Sequence, residues 1–497
     1  MEKPELQPST HPGRYTPTDP TRPRDDLELA RIGKAPALKA GGPAGAIYGY
    51  LLVWLGSLCT MATLSELVSM APTSGGQYHW VAILAPASCS KFLCFTTGWL
   101  IILGWLGALS SGAYLASSQI LGFVAITRPS FEPQPYQIML LYWAYIMFAT
   151  TVNIGAGSLL PKFEGIVLIL HVVGFIVFLV PLAYLGDHAS AKDVFTTFRN
   201  GGDWPSMGLS FFVGMLGATF AFTGCDAAIH MTEETKNATS VIPLSIMISI
   251  GLNGLMGLGI LLVALFSVTN TDHVLNSPTG YPFIQMLLDA TNSIPASIAI
   301  ASIIPITGVA TAAGNLAAAS RMVWAFARDH GCPKSWRVHE VDSRAIPLYS
   351  ISIVAGAAVL LSLIILASGA ALNAVVSLTV SSLFLSYLLA TGLLLYHRLR
   401  GVIGRYNQSV ILSNTTQTPL TWGPFHIPHG GGIVVNLVTV CYLAIAVFFS
   451  FWPPASHVTP LSMNWATVPT FATGIFSSLY YFCVAKRTFT GPVVEVR

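Results

Sequence analysis

Ionisable side chains are scarce in this 497-residue chain, where 9% of residues are charged and 53% are hydrophobic, so the few that interrupt apolar stretches carry most of the available chemistry. An ionisable group at membrane depth is costly and ordinarily faces a cavity or a partner. The richest such stretch runs Phe220-Ala221-Phe222-Thr223-Gly224-Cys225-Asp226-Ala227-Ala228-Ile229-His230 and continues to Glu233 and Glu234. A glycine followed by an acid inside an apolar helix lets the helix break, which frees backbone carbonyls and sets the acid beside the N-terminus of the second half. Phe222, Thr223, Gly224, Cys225 and Asp226 therefore form the candidate substrate-binding set. Two readings of Asp226 stay open: a counter-ion or proton site toward an amine-bearing ligand, and an N-cap for the free donors of the half-helix.

Glu66, in Leu64-Ser65-Glu66-Leu67, is the only acid of the first long apolar stretch. Its place near one end suits a snorkelling interfacial carboxylate or a helix-packing hydrogen bond better than a ligand contact. With Glu233 and Arg321 it forms the set of coupling or gating candidates, although Arg321 and Arg328 also read as basic anchors at a membrane edge. His171, alone on an apolar helix, reads as a hydrogen-bonded packing residue. The seven cysteines include no CxxC pair and read as packing residues, so neither a metal site nor a cofactor is expected. No His or acid constellation recurs at helical spacing within the apolar stretches, and His426 and His429 fall in a loop, which argues against an enzyme.

The elements that must position these residues are eleven apolar stretches, at 45–70, 92–124, 136–156, 165–185, 207–229, 241–269, 294–320, 348–369, 373–396, 431–452 and 465–484. Each is long enough to cross a hydrocarbon core, which takes about 20 helical residues. Lipid offers backbone groups no partner, and strict two-residue alternation is absent, so the reading is a helical bundle rather than a barrel. Basic residues cluster at Arg321, Arg328, Lys334, Arg337 and Arg344, at Arg398, Arg400 and Arg405, and at Lys486 and Arg487. Two stretches separate each cluster from the next, so all three lie on one side, which the positive-inside rule makes cytosolic along with the C-terminus. Counting back through eleven crossings puts Arg31, Lys34 and Lys39 outside, against the same rule. The proline-rich segment 1–44 reads as a disordered cytosolic tail, 45–485 as one membrane domain with a loop at 398–430, and 486–497 as a cytosolic tail. A net charge of +3 concentrated at membrane edges is topogenic and gives no reason to expect nucleic acid.

Specific resemblance appears at Ala71-Pro72-Thr73-Ser74-Gly75-Gly76-Gln77-Tyr78-His79-Trp80, with Ser65-Glu66-Leu67 upstream. It extends through Glu28-Leu29-Ala30-Arg31-Ile32-Gly33-Lys34, Gly41-Gly42-Pro43-Ala44-Gly45, Asp226 with His230-Met231-Thr232-Glu233-Glu234, Ala325-Phe326-Ala327-Arg328-Asp329, Met463-Asn464-Trp465 and Gly491-Pro492. In this order the motifs resemble the fungal amino acid/choline transporter family, which includes GABA and choline permeases, within the amino acid-polyamine-organocation superfamily.

The resemblance implies ten core helices in two inverted five-helix repeats plus two peripheral helices, with substrate held near the midplane by broken first and sixth helices. It also implies a proton-coupled or otherwise secondary carrier of an amino acid, GABA or a choline-like amine, in the plasma membrane or alternatively a vacuolar or other organelle membrane. The chain departs from the pattern between the Glu28–Lys34 motif and Gly41, where relatives have a transmembrane helix and this chain passes from Lys39 through Ala40 to Gly41. The family's first helix is thus expected to be missing, leaving four spans against five. Impaired transport follows, and the alternative function is a transport-inactive nutrient sensor or regulatory protein on the same scaffold.

Overall fold

The computed structural model describes residues 35–128, 130–131, 133–155, 160–275, 277, 281–333, 336–343, 346–364, 371–406, 419–459, 463–489 and 491–492. The described residues are almost entirely helical. In chain order the long helices are α1 (Ala35–Met70), α3 (Ser90–Thr127), α4 (Pro135–Gly155), α5 (Leu160–Leu185), α9 (Ala238–Phe266), α13 (Ile303–Arg328), α15 (Ala371–Leu399) and α16 (His429–Ser450). The shorter ones are α2 (Gln77–Leu84), α6 (Ala191–Thr196), α7 (Met207–Gly214), α8 (Leu216–Ala221), α10 (Thr271–Leu275), α11 (Pro282–Thr291), α12 (Ile294–Ala301), α14 (Leu348–Ser362) and α17 (Thr467–Cys483). Among the described residues nine helical segments are long and apolar enough to cross a membrane. The other two expected spans are present as the 15-residue α14 and the 17-residue α17.

Local sequence explains where several of these helices begin. Ser206 Oγ accepts from the Leu209 N–H to cap α7, and Ser293 Oγ accepts from the Ala296 N–H to cap α12, where a proline sits in the first turn and needs no donor partner. Close approach is made by small residues. A Cβ at Gly254 would collide with the Trp54 indole and one at Gly257 with the Tyr50 hydroxyl, so α9 can lie directly on α1. Tyr50 and Trp54 then donate to the carbonyls of Gly254 and Ile250 at 2.8 and 3.0 Å. His171 meets Asn253 at 3.0 Å, as expected of a packing residue.

Residues 35–44, expected to belong to a disordered tail, are helical instead. The helix breaks at Gly42 (φ 72°, ψ −177°), and a Cβ there would press on the Arg199 N and Thr197 O atoms, so only glycine fits. The break is docked by hydrogen bonds from the Ala44 N–H to Thr197 O and from the Arg199 N–H to Gly41 O. Leu38 and Ala40 are buried, with Leu38 in a small core beside Val194 and Leu265. Apolar contact with the connector between α5 and α7 therefore orders the segment. This end of α1 lies opposite the face that gathers Glu66, Arg328, Arg398 and Phe489, so Lys39 and the described members of the three basic clusters fall at opposite ends of the bundle.

Candidate substrate site

The span Met207–Glu234 is assembled from three pieces: α7, α8 and a ten-residue 3-10 helix, Cys225–Glu234. A 3-10 run of that length is uncommon, and its hydrogen bonding is poorer than that of an α-helix. The chain turns at Gly224, whose φ of 94° lies in the left-handed region open to glycine. Thr223 stabilises the end of α8 by donating its hydroxyl to Thr219 O at 2.9 Å. Thr223, Gly224 and Cys225 are half-open, whereas Phe222 is buried with its ring 5.2 Å from that of Tyr50.

Asp226 is turned the other way, with 0% exposure. Gln77 Nε2, from α2, donates to its Oδ2 at 2.9 Å, and Oδ1 has no hydrogen-bond partner. The Tyr387 hydroxyl of α15 faces the same carboxylate, and Gln77 Oε1 has no hydrogen-bond partner. His230 Nε2 stands 3.9 Å from Oδ2 without supplying a charge. Trp105 Nε1 donates to that same Nε2 at 2.9 Å, and Nδ1 meets the Ser74 carbonyl at 2.8 Å, which makes Nδ1 the protonated nitrogen of a neutral ring. The N-cap position belongs to Gly224 and no side chain caps the 3-10 helix, so the capping role weighed for Asp226 is not taken up.

Below this cluster the 3-10 helix is clamped to α13. Arg328 donates from both terminal nitrogens to Glu233 at 3.0 Å, and Arg321 Nε donates to Glu234 Oε1 at 2.7 Å. Arg321 also reaches Asn153 of α4 at 3.4 Å. Glu233 and Arg321, both coupling or gating candidates, thus belong to two neighbouring ion pairs rather than to one. Tyr78 donates to Asp329 Oδ2 at 2.8 Å on the same face. Beside them the His79 ring is pushed down to about 4 by burial and by the Arg328 charge, with Glu233 opposing.

Glu66 forms a separate centre. It is 0% exposed and accepts from Arg398 through both oxygens, at 2.6 and 2.9 Å, and from the Ile427 N–H at 2.7 Å. Arg398 further donates to Asn436 Oδ1 and to Ile427 O, with its guanidinium 4.3 Å from the Trp422 ring centroid. Of the two arrangements expected of Glu66, snorkelling and helix packing, the second is the one found, and Arg398, counted in the sequence as a loop charge, lies inside the bundle. Residues 419–428 fold back over this centre, where the Phe425 N–H donates to Ser69 Oγ at 2.9 Å. Residues 407–418 of the expected loop lie outside the described residues.

Gln77, Trp105, Tyr387 and Arg398 were not singled out from sequence as site residues. Gln77 had a signal, a polar side chain closing the Ser74-Gly75-Gly76 run. Arg398 had another, a single base at the end of an apolar stretch that matches the single acid of the first.

A polytopic helical bundle with a span broken beside a buried acid defines a multi-spanning integral membrane protein. Comparison gives the class a family: the chain matches the amino acid permease family over residues 30–476 and belongs to it, as a fungal amino acid/choline-type permease of the amino acid-polyamine-organocation superfamily. It is 27% identical over 436 residues to a Macrophomina phaseolina protein described as an amino acid/polyamine transporter, covering 87% of this chain and 93% of that one. It is 27% identical over 457 residues to the choline transporter of Saccharomyces cerevisiae, covering 91% and 77%. It is 26% identical over 480 residues to the amino-acid permease BAT1 of Arabidopsis thaliana, covering 92% and 88%. The chain is accordingly a membrane transporter and not an enzyme.

Proposed function

We propose that the chain has the scaffold of a secondary carrier of an amino acid, GABA or a choline-like amine in the plasma membrane, with its C-terminus cytosolic and its transport impaired by loss of the family's first helix. The observation that carries this reading is the break of the Met207–Glu234 span at Gly224, which leaves Thr223, Gly224 and Cys225 half-open. An unwound segment at that place supplies backbone carbonyls and the end of a half-helix to a zwitterion or amine. The buried Phe222 ring backs the segment. The relatives include a choline transporter and amino acid permeases, which fits an amine-bearing solute.

The five-plus-five inverted arrangement belongs to the same proposal, with the first helix absent. Residues 35–70 run as α1 through Ala40 and the Gly42 break with no helix described before them, which supports reading α1 as the family's second helix. Missing backbone ligands from a broken first helix impair transport, and the four-against-five count favours the second reading, a transport-inactive sensor or regulatory protein. The deciding experiment compares uptake of labelled amino acids, GABA and choline by the chain itself and by a form with a relative's first helix inserted after Lys39, at matched surface levels. Uptake by the longer form alone is the expected outcome. Equal uptake would remove the missing-helix argument, and none by either form, with altered nutrient signalling on deletion, would favour the sensor.

A further inference from the structure

We infer that Glu164 of α5 is the counter-ion for a second, distal cationic group of the ligand, so that the site favours a basic amino acid or a linear diamine. The inference rests on the carrier reading and names its substrate class. Glu164 has no hydrogen-bond or ion-pair partner among the described residues. It is folded onto the bundle, because its Oε1 lies 3.6 Å from where a Cβ on Gly314 of α13 would stand. Gly314 sits well inside the Ile294–Arg328 span, with about 21 Å of helix between it and Arg328. Asn153, at the end of α4, donates to Ala313 O at 3.0 Å and so sets the end of α4 beside the same stretch of α13. An acid at this depth ordinarily has a cationic partner or faces a cavity that receives one.

The chain's own cations do not fill this role. Arg321, farther along α13, is held by Glu234 and Asn153, and Arg328 is held by Glu233. His171, farther along α5, meets Asn253 of α9. Lys162 is exposed and makes no ion pair with Glu164. Between Glu164 and the helix break the bundle presents small groups. Gly314 and Gly112 of α3 are both half-open, and Asn315, which stands between them, is drawn toward α3 by donating to Ala108 O at 3.2 Å. The same face of α3 carries Trp105, whose ring edge is 3.9 Å from where a Cβ on Gly224 would stand. From Trp105 to Gly112 the helix rises about 10 Å, which sets the scale of the separation between the break and the acid. A single ammonium held at the break does not span that distance. An aliphatic chain ending in a second cation does. The groups around its far end, a carboxylate, an amide oxygen on Asn315 and the hydroxyl of exposed Thr311, are acceptors suited to an ammonium or guanidinium.

The test is equilibrium binding to the purified full chain and to its helix-restored form, using pairs of ligands that differ only in the distal ammonium: lysine against norleucine, and cadaverine against pentylamine. The dication of each pair should bind roughly tenfold more tightly, and Glu164→Gln should erase that preference by weakening the dication alone. Glu164→Asp keeps the charge but draws it back by one methylene, so the preferred diamine should become one carbon longer. This second variant also carries the comparison should Glu164→Gln fail to fold. Equal affinity within each pair would overturn the inference and leave the carrier reading standing, as would a loss in Glu164→Gln shared equally by norleucine and pentylamine. Failure of both forms to bind any of these ligands, or choline or GABA, would remove the carrier reading and the inference with it.

Discussion

Glu66 and Asp226 are both sealed in the bundle, yet their surroundings differ at every lone pair. Glu66 has a bidentate arginine and a backbone N–H, and its arginine has an amide, a carbonyl and an aromatic face besides. Asp226 has one neutral amide donor, a neutral histidine and an oxygen without a partner. A fully matched buried pair has a single low-energy arrangement and serves as a clamp, here tying α1, α15, α16 and the 419–428 segment together. An under-matched acid lacks that restraint, because an acceptor left without a donor is costly where the dielectric is low. The backbone agrees with the side chains: Glu66 lies in the regular part of α1 beyond the Gly42 break, and Asp226 follows a left-handed glycine at the start of a 3-10 run.

Breaking the matched pair should have the largest effect. Arg398→Met leaves Glu66 buried and unpaired, at a cost of about 3–5 kcal/mol, visible as a sharp fall in Tm and yield. Adding Glu66→Leu should recover most of the loss, because two apolar side chains need no partner. A double variant as unstable as the single one would show that the clamp acts through something other than its charges.

The next effect is one of pH. The His79 ring is held near 4 against an ordinary 6.5, so its folded state resists protonation. Its stabilising contribution, about 3 kcal/mol at most, is fully present above pH 6.5 and is lost as pH falls from there toward 4. Denaturation followed across that range should show the loss in wild type and its absence in His79→Gln.

Trp105→Phe should make Asp226 more like Glu66. It removes the donor that occupies His230 Nε2, at a cost of about 1–2 kcal/mol, and frees that nitrogen, 3.9 Å from Asp226, to take a proton and pair with it. Histidine tautomers read by nitrogen NMR should change from a neutral ring protonated at Nδ1 to an imidazolium. An unchanged neutral ring would show that the indole does not control the charge state.

The smallest change in stability is expected from Asp226→Asn, below about 1 kcal/mol, since the amide keeps an acceptor for Gln77 and brings no charge. Glu66→Gln, by contrast, strips the acceptor charge from a three-donor site and should cost about 2–3 kcal/mol. Equal losses in the two variants would erase the distinction between the matched and the under-matched acid.

Much of this was readable in the chain. The described parts of the eleven apolar stretches are largely helical, nine of them long enough to span, because a run of about 20 apolar residues has few alternatives to a helix whose backbone bonds are internal. The break was legible at Gly224, where a residue free to take positive φ precedes an acid within an apolar run. The direction in which Asp226 points was not, because a 3-10 turn rotates side chains differently from an α-helix and only the neighbours α2, α3 and α15 show which way it faces. The pairing of Glu66 with Arg398 was hidden by 332 residues of separation. Residues 35–44 were misread because Pro36 and Pro43 and the run of glycines are loop-like locally, while burial of Leu38 against Val194 is a long-range fact.

Sequence by itself determined that this protein lies in a membrane, that it is helical, that it belongs with amino acid and choline permeases, and that one span is interrupted beside an acid. These follow from hydropathy, from segment length and from glycine's conformational freedom, all properties of a residue and its immediate neighbours. Only the tertiary structure decided which acid is matched and which is not. That choice depends on donors brought from α2, α3, α15 and the 419–428 segment to within about 3 Å, and no local property of Glu66 or Asp226 reports what will arrive there.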